Sequence, residues 1–184
     1  MRQNEKQENF EKWFAGSVVR HADGQPKRVY HGTYHDFSVF DGYESVGWFS
    51  SDVALSNSRY TDGESDDAGP NVMPVYLSIK RPLPLFGRFD MDDPISSIDR
   101  MIELVPELDL DYLDKRRGVY PPEEKVWLVI NNIDFMNALI RAGFDGIQIG
   151  EIGTETWAPV CPKQVKSAVG NCGAFNPADP DITR

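Results

Sequence analysis

Tyr30-His31-Gly32-Thr33 closes a short apolar run, and the aromatic cluster Gly47-Trp48-Phe49-Ser50 leads about one helix-length later to Tyr60. A lone Glu155 follows near the far end of the chain. An imidazole can hydrogen-bond a ribose hydroxyl, an aromatic face can pin a flat ring, and a carboxylate can stabilise a developing cation. Those three groups are what is needed to hold a nicotinamide nucleotide and break its glycosidic bond, which makes NAD+ the first substrate to consider. The bond breaks through an oxocarbenium-like transition state, and nicotinamide leaves as a neutral ring, so one carboxylate near the anomeric carbon suffices. Gly32 lacks a Cβ and lets a ligand approach the main chain, whose N–H and C=O could clamp the carboxamide.

The elements that must position these groups are short. Phe10, Trp13 and Phe14 fall at i, i+3 and i+4, which predicts an amphipathic helix over Asn9 to Phe14. Asp23-Gly24 signals a turn, Pro26 breaks any helix, and Arg28-Val29-Tyr30 reads as a brief strand that delivers His31 to its end, on a strand edge. Phe37 to Phe40 is a second apolar element. Ser51-Asp52 can cap a helix from Val53 to about Tyr60. Thr61 to Asn71 reads as an acidic mobile loop, and Val72 to Ile79 as a strand up to Pro82 and Pro84.

From Phe86 to Glu124, Ile95 to Val105 and Leu108 to Arg117 read as two charged helices separated by Pro106, a helical insertion at about 86–125. Val126 to Ile130 reads as a strand, and Asn132 to Ala142 as a helix stopped by Gly143. Phe144 to Ile149 and Thr156 to Val160 complete the strands, and the tail from Asn176 to Arg184 is too rich in proline and aspartate to be regular. Short strands mixed with unevenly spaced helices favour an α+β fold over a doubly wound sheet.

Bulk properties bound the function. With 184 residues, 40% hydrophobic and 11% aromatic, the chain can bury one sizeable core, so a single domain over 1–184 is expected. No stretch approaches the roughly 20 apolar residues of a membrane span, and Met1 to Glu11 is polar where a signal peptide would be apolar, so a cytoplasmic protein without a membrane partner is expected. Cys161 and Cys172 match no metal-ligand spacing and the three histidines form no zinc set, so no metal is expected. The net charge of -10 disfavours nonspecific binding to nucleic acid. Lys27-Arg28, Lys80-Arg81 and Lys115-Arg116-Arg117 read as solvated surface.

Taken together, Trp13-Phe14, Asp23-Gly24 and Val29-Tyr30-His31-Gly32-Thr33, with Pro162-Lys-Gln-Val-Lys-Ser-Ala168 and the tail Asn176 to Ile182, resemble the ADP-ribosyltransferases of the His-Tyr-Glu group, which includes diphtheria toxin and the poly(ADP-ribose) polymerases. The resemblance is closest to phage and prophage ADP-ribosyltransferase-like domains and spans nearly the whole chain apart from about Phe86 to Lys125. It implies two small antiparallel or mixed sheets flanked by helices around an NAD cleft. By the same resemblance, His31 binds the adenosine-side ribose, the backbone of Gly32 holds the carboxamide, Tyr60 stacks on nicotinamide, and Trp48 or Phe49 forms the other aromatic wall. Glu155 is then the catalytic glutamate. Thr33, Ser50 and Ser56 (or Ser58) would add hydroxyls around the nucleotide.

Gly153 stands where arginine-modifying relatives carry Gln or Glu, so arginine as acceptor is unsupported. Glu151, four residues before Glu155, is the alternative carboxylate; the strand carrying Trp157 and Val160 favours Glu155. The function implied is mono-ADP-ribosyl transfer from NAD+ to a macromolecular acceptor, protein or nucleic acid, in a phage or toxin setting. An NAD+ glycohydrolase and a non-catalytic interaction module on the same fold are the alternatives.

Overall fold

The apolar stripe of Phe10, Trp13 and Phe14 does form a helix, α1 (Gln3–Phe14), whose first two turns are polar and exposed. Phe10 stacks on Phe14 at 5.2 Å and meets Tyr76 and Phe175 edge-on at 5.0 and 5.1 Å, so the helix is fastened by its last two turns. The computed structural model describes residues 2–40, 46–60, 71–86, 88, 102–103, 105–111, 129–151 and 153–184, and the side chains of 57–60 and 151 lie outside that description. The acidic segment 61–70, most of the charged insertion, including most of its two expected helices, and residues 126–128 also lie outside it.

Strands β1 (Val29–Thr33), β2 (Phe49–Ser50), β3 (Asn71–Leu77), β4 (Pro82–Pro84), β5 (Gly146–Glu151), β6 (Thr154–Pro159) and β7 (Val165–Ser167) make one sheet in the order β4-β5-β6-β2-β1-β3-β7. The β4–β5 pair is parallel and the other pairs are antiparallel. In place of the expected two sheets, the described residues form one mixed sheet of seven strands. The two residues of β2 make the difference: Ser50 pairs with Tyr30 on one side, and Phe49 and Ser50 pair with Trp157 and Thr156 on the other, joining the N-terminal strands to the C-terminal hairpin. β1 is accordingly an interior strand, and it continues past His31 to Thr33 because β3 pairs with it along its whole length. The expectation that the strand ends at His31 is corrected.

Local signals act where they were read. Asp52 Oδ1 accepts from the backbone N–H of Ala54 at 2.7 Å and starts α2 (Val53–Tyr60). Asn132 caps α3 (Ile133–Arg141) through the N–H of Asp134 at 2.9 Å, and Gly143, at φ +81°, turns the chain out of it. Val129 and Ile130, expected in a strand, are helical instead. Both are fully buried beside α3, and this burial overrides their β-branched preference.

The sheet divides two cores. On one face, Phe135, Met136 and Leu139 of α3 pack on Ile147, Ile149, Leu83 and Ala158, with Val105, Leu108 and Leu110. On the other, Val29, Phe49, Val75, Leu77 and Trp157 pack with Val19, Phe40 and Ile182. Residues 37–40, expected as an apolar element, form only a bridge from Val39 to Asp181 of the tail, and Ile182 N–H donates to Ser38 O at 2.8 Å.

Candidate active site

Strand alternation puts Val29, His31 and Thr33 on one face of β1. The register Tyr30↔Ser50 and Phe49↔Trp157 carries that face across to Phe49, Trp157 and Glu155, and Trp157↔Gln148 carries it on to Gln148 of β5. His31 and Glu155 therefore look out from the same side of the sheet. Two strands over and two residues along, their backbones lie about 12 Å apart by ordinary sheet dimensions.

The imidazole of His31 is walled by Phe40 and Phe49, with ring centroids at 5.1 and 5.2 Å, and by Phe37 at 6.3 Å. Its Nδ1 donates to the carbonyl of Trp48 at 2.9 Å. A carbonyl only accepts, so Nδ1 bears the proton and Nε2 of the neutral ring is an acceptor. This close approach needs Gly47, which sits at φ +118° and whose Cβ, if it had one, would lie 3.1 Å from His31 Cε1. Burial lowers the pKa of His31 from its usual 6.5, and the Trp48 carbonyl pulls it back only in part.

The neutral ring is thus the native form. Its contribution to stability is complete above the unfolded value of 6.5 and is lost as pH falls from there through the lowered native value. In a titration followed by NMR, the His31 ring signals are expected to move at a pH below 6.5, the usual histidine value. A midpoint at or above 6.5 would contradict this.

Glu155, the second residue of β6, is held at three points. Lys27 Nζ forms an ion pair with Oε2, Gln148 Nε2 donates to Oε1 at 3.3 Å, and the backbone carbonyl accepts from Ser51 N–H at 2.9 Å. The side chain stays 37% exposed, against 16% for Lys27, so a ligand can reach it. Ser51 Oγ and Thr154 Oγ1 share a hydrogen bond of 2.6 Å beside it. On the same face Trp157 is 3% exposed, and its indole N–H has no hydrogen-bond partner among the described residues.

Residues 21–175 match a family described as ADP-ribosyltransferase in polyvalent proteins. The chain belongs to that family. No curated protein and no solved structure matches it. The ADP-ribosyltransferase domain spans every site residue just described, from Lys27 to Glu155; its general reaction is ADP-ribosyl transfer, and enzymes of this kind use NAD+ as substrate. Among the described residues no group of three or more His, Cys, Asp or Glu is placed to hold a metal ion, and no helix is long and apolar enough to cross a membrane.

The other sequence candidates fall in different places around His31 and Glu155. Phe49 touches His31, whereas Trp48 turns to the opposite face, buried in the α3 core with its indole N–H donating to Asn131 Oδ1 at 2.6 Å. Three hydroxyls serve the backbone: Ser50 Oγ accepts from Asp52 N–H at 3.0 Å, Thr33 Oγ1 accepts from His35 N–H at 3.1 Å, and Ser56 Oγ donates to Tyr30 O at 2.9 Å. Gly32 pairs with Val72 of β3, while the β1–β2 register pairs Tyr30 with Ser50 and stops short of it. Tyr60 ends α2, and Glu151 ends β5 opposite Thr154; their side chains lie outside the described residues.

Lys27 and Gln148 are the two partners of Glu155 that the sequence did not single out. Lys27 belongs to a Lys-Arg pair read as solvated surface, yet it is largely covered and reaches Glu155. A signal existed for each. Lys27 is two and four residues from Val29 and His31, hence in phase with them, and Gln148 is a polar residue between the buried Ile147 and Ile149, which sends it to the other face.

Proposed function

We propose that the domain cleaves the nicotinamide–ribose bond of NAD+ and transfers the ADP-ribose to a macromolecular acceptor, protein or nucleic acid, in the manner of the His-Tyr-Glu group. The observation that carries this reading is the shared sheet face of His31 and Glu155, with His31 kept neutral and Glu155 accessible. Nε2 of His31 accepts from a ribose hydroxyl, since its partner nitrogen is committed to Trp48. Gly32 supplies main-chain groups for the carboxamide, and the β2-facing edge of β1 beyond Tyr30 supports this role. Tyr60 is the ring on which nicotinamide stacks.

The C–N bond breaks with its electron pair going to nicotinamide, which leaves neutral. Glu155 stabilises the positive charge left on the ribose, and an acceptor nucleophile closes on the anomeric carbon and loses its proton. Incubation with NAD+ is expected to release nicotinamide and, in bacterial lysate, to leave a mass increment of one ADP-ribose on an acceptor that protease or nuclease treatment identifies. Nicotinamide release with only free ADP-ribose would make the protein a glycohydrolase, and no release at all would overturn the reading.

A further inference from the structure

The ion pair at Glu155 poses a problem for any cationic substrate. Along the β1 direction, His31 comes first and the row of Val29, Ser51 and Glu155 lies about 7 Å on, with Lys27 before the start of the strand. Glu155 thus sits between an imidazole and an ammonium, and the ammonium already holds one of its oxygens. Lys27 is anchored there by its backbone N–H, which donates to Val19 O at 3.1 Å. The nicotinamide ring of NAD+ carries a full positive charge, and the ribose gains one as the bond breaks. A second cation at Glu155 has to share its single negative charge with the ammonium and is repelled by it, whereas the neutral carboxamide of Gln148 on the other oxygen opposes neither.

We infer that Lys27 is a positioning residue that occupies Glu155 as a resident counter-charge until the cationic nicotinamide riboside end of NAD+ displaces it, while Gln148 stays and keeps the carboxylate aimed. This rests on the proposed reading that NAD+ lies against His31 and Glu155. The pair suits the role: both side chains are partly accessible, and an ion pair of that kind is weakly held, so a ligand can exchange for it. Empty, the site keeps Glu155 oriented; loaded, it gives up the ammonium and keeps the amide.

The test separates charge from shape by using NAD+ and NADH, which share the nucleotide but differ in the charge of the nicotinamide ring. In calorimetry on the full chain, Lys27→Met is expected to bind NAD+ roughly three- to tenfold more tightly, the scale of one ammonium several ångströms from a pyridinium in a partly solvated site, and to bind NADH unchanged. Lys27→Arg should restore the wild-type difference. Lys27→Gln repeats the measurement should the methionine variant not fold. In nicotinamide release, Lys27→Met lowers KM, and Gln148→Ala lowers kcat at unchanged KM. Equal shifts for NAD+ and NADH, or weaker NAD+ binding by the Lys27 variants, would overturn the role of Lys27 alone. Failure of the wild-type chain to bind NAD+ would remove the reading of the site and this inference with it.

Discussion

Glu155→Gln is expected to lower nicotinamide release from NAD+ by roughly 100- to 1000-fold, the usual loss when one preorganised charge-stabilising group is removed from a transition state, with NAD+ affinity changed only a few-fold. The glutamine keeps the shape of the side chain and can still meet Gln148, so a fall in rate reports lost charge rather than lost packing. Glu155→Ala should show the same rate loss, with at most a small further fall in melting temperature, because alanine leaves Lys27 and Gln148 no acceptor where glutamine still offers its amide oxygen. Glu151→Gln is the control, since Glu151 ends β5 across the hairpin from Thr154. If Glu151→Gln abolished release while Glu155→Gln did not, the assignment of Glu155 would be wrong.

Lys166→Ala is expected to cost about 4 kcal/mol, roughly 8–16 °C in melting temperature for a chain of this size. Lys166 is fully buried, and its ammonium donates to the carbonyls of Asp179 and Asp181, both at 2.8 Å. Burial lowers its pKa, while the nearby Asp179 and Asp181 carboxylates favour the charged form. Those contacts clamp the tail onto β7, where Ser167 N–H also donates to Ile182 O at 2.9 Å. The tail in turn bridges to Val39 and holds the segment that presents Phe37 and Phe40 to His31. The effect therefore reaches the site: the His31 ring signals should shift in the variant. Lys166→Met, which restores the packing of the stem but not the two bonds, should recover only part of the loss. Full recovery by methionine would mean that the tail carbonyls do not matter.

These two expectations draw on different kinds of information. The helix from Asn132 to Gly143 could be read directly, because its cap and stop lie within the segment itself and act through backbone groups a few residues away. The same holds for Asp52 at the start of α2. His31 and Glu155 could be named as candidates from residue type and flanking motif, and the sheet register then put the two on one face. Val129 and Ile130 were misread because a β-branched pair satisfies a strand or a buried helical turn equally well until its neighbours are known.

By itself, then, the order of residues determined the local elements and the chemical groups available: an imidazole before a glycine, aromatic walls, and a carboxylate at the start of a late strand. Only the tertiary structure decided that the strands form one sheet, that His31 lies in its interior, and that Lys27 and Gln148 hold the two oxygens of Glu155. The physical reason is range. A cap or a turn is settled by neighbours in sequence, whereas the contact between Lys27 and Glu155 joins residues 128 positions apart, brought together by the pairing of β2 with both β1 and β6.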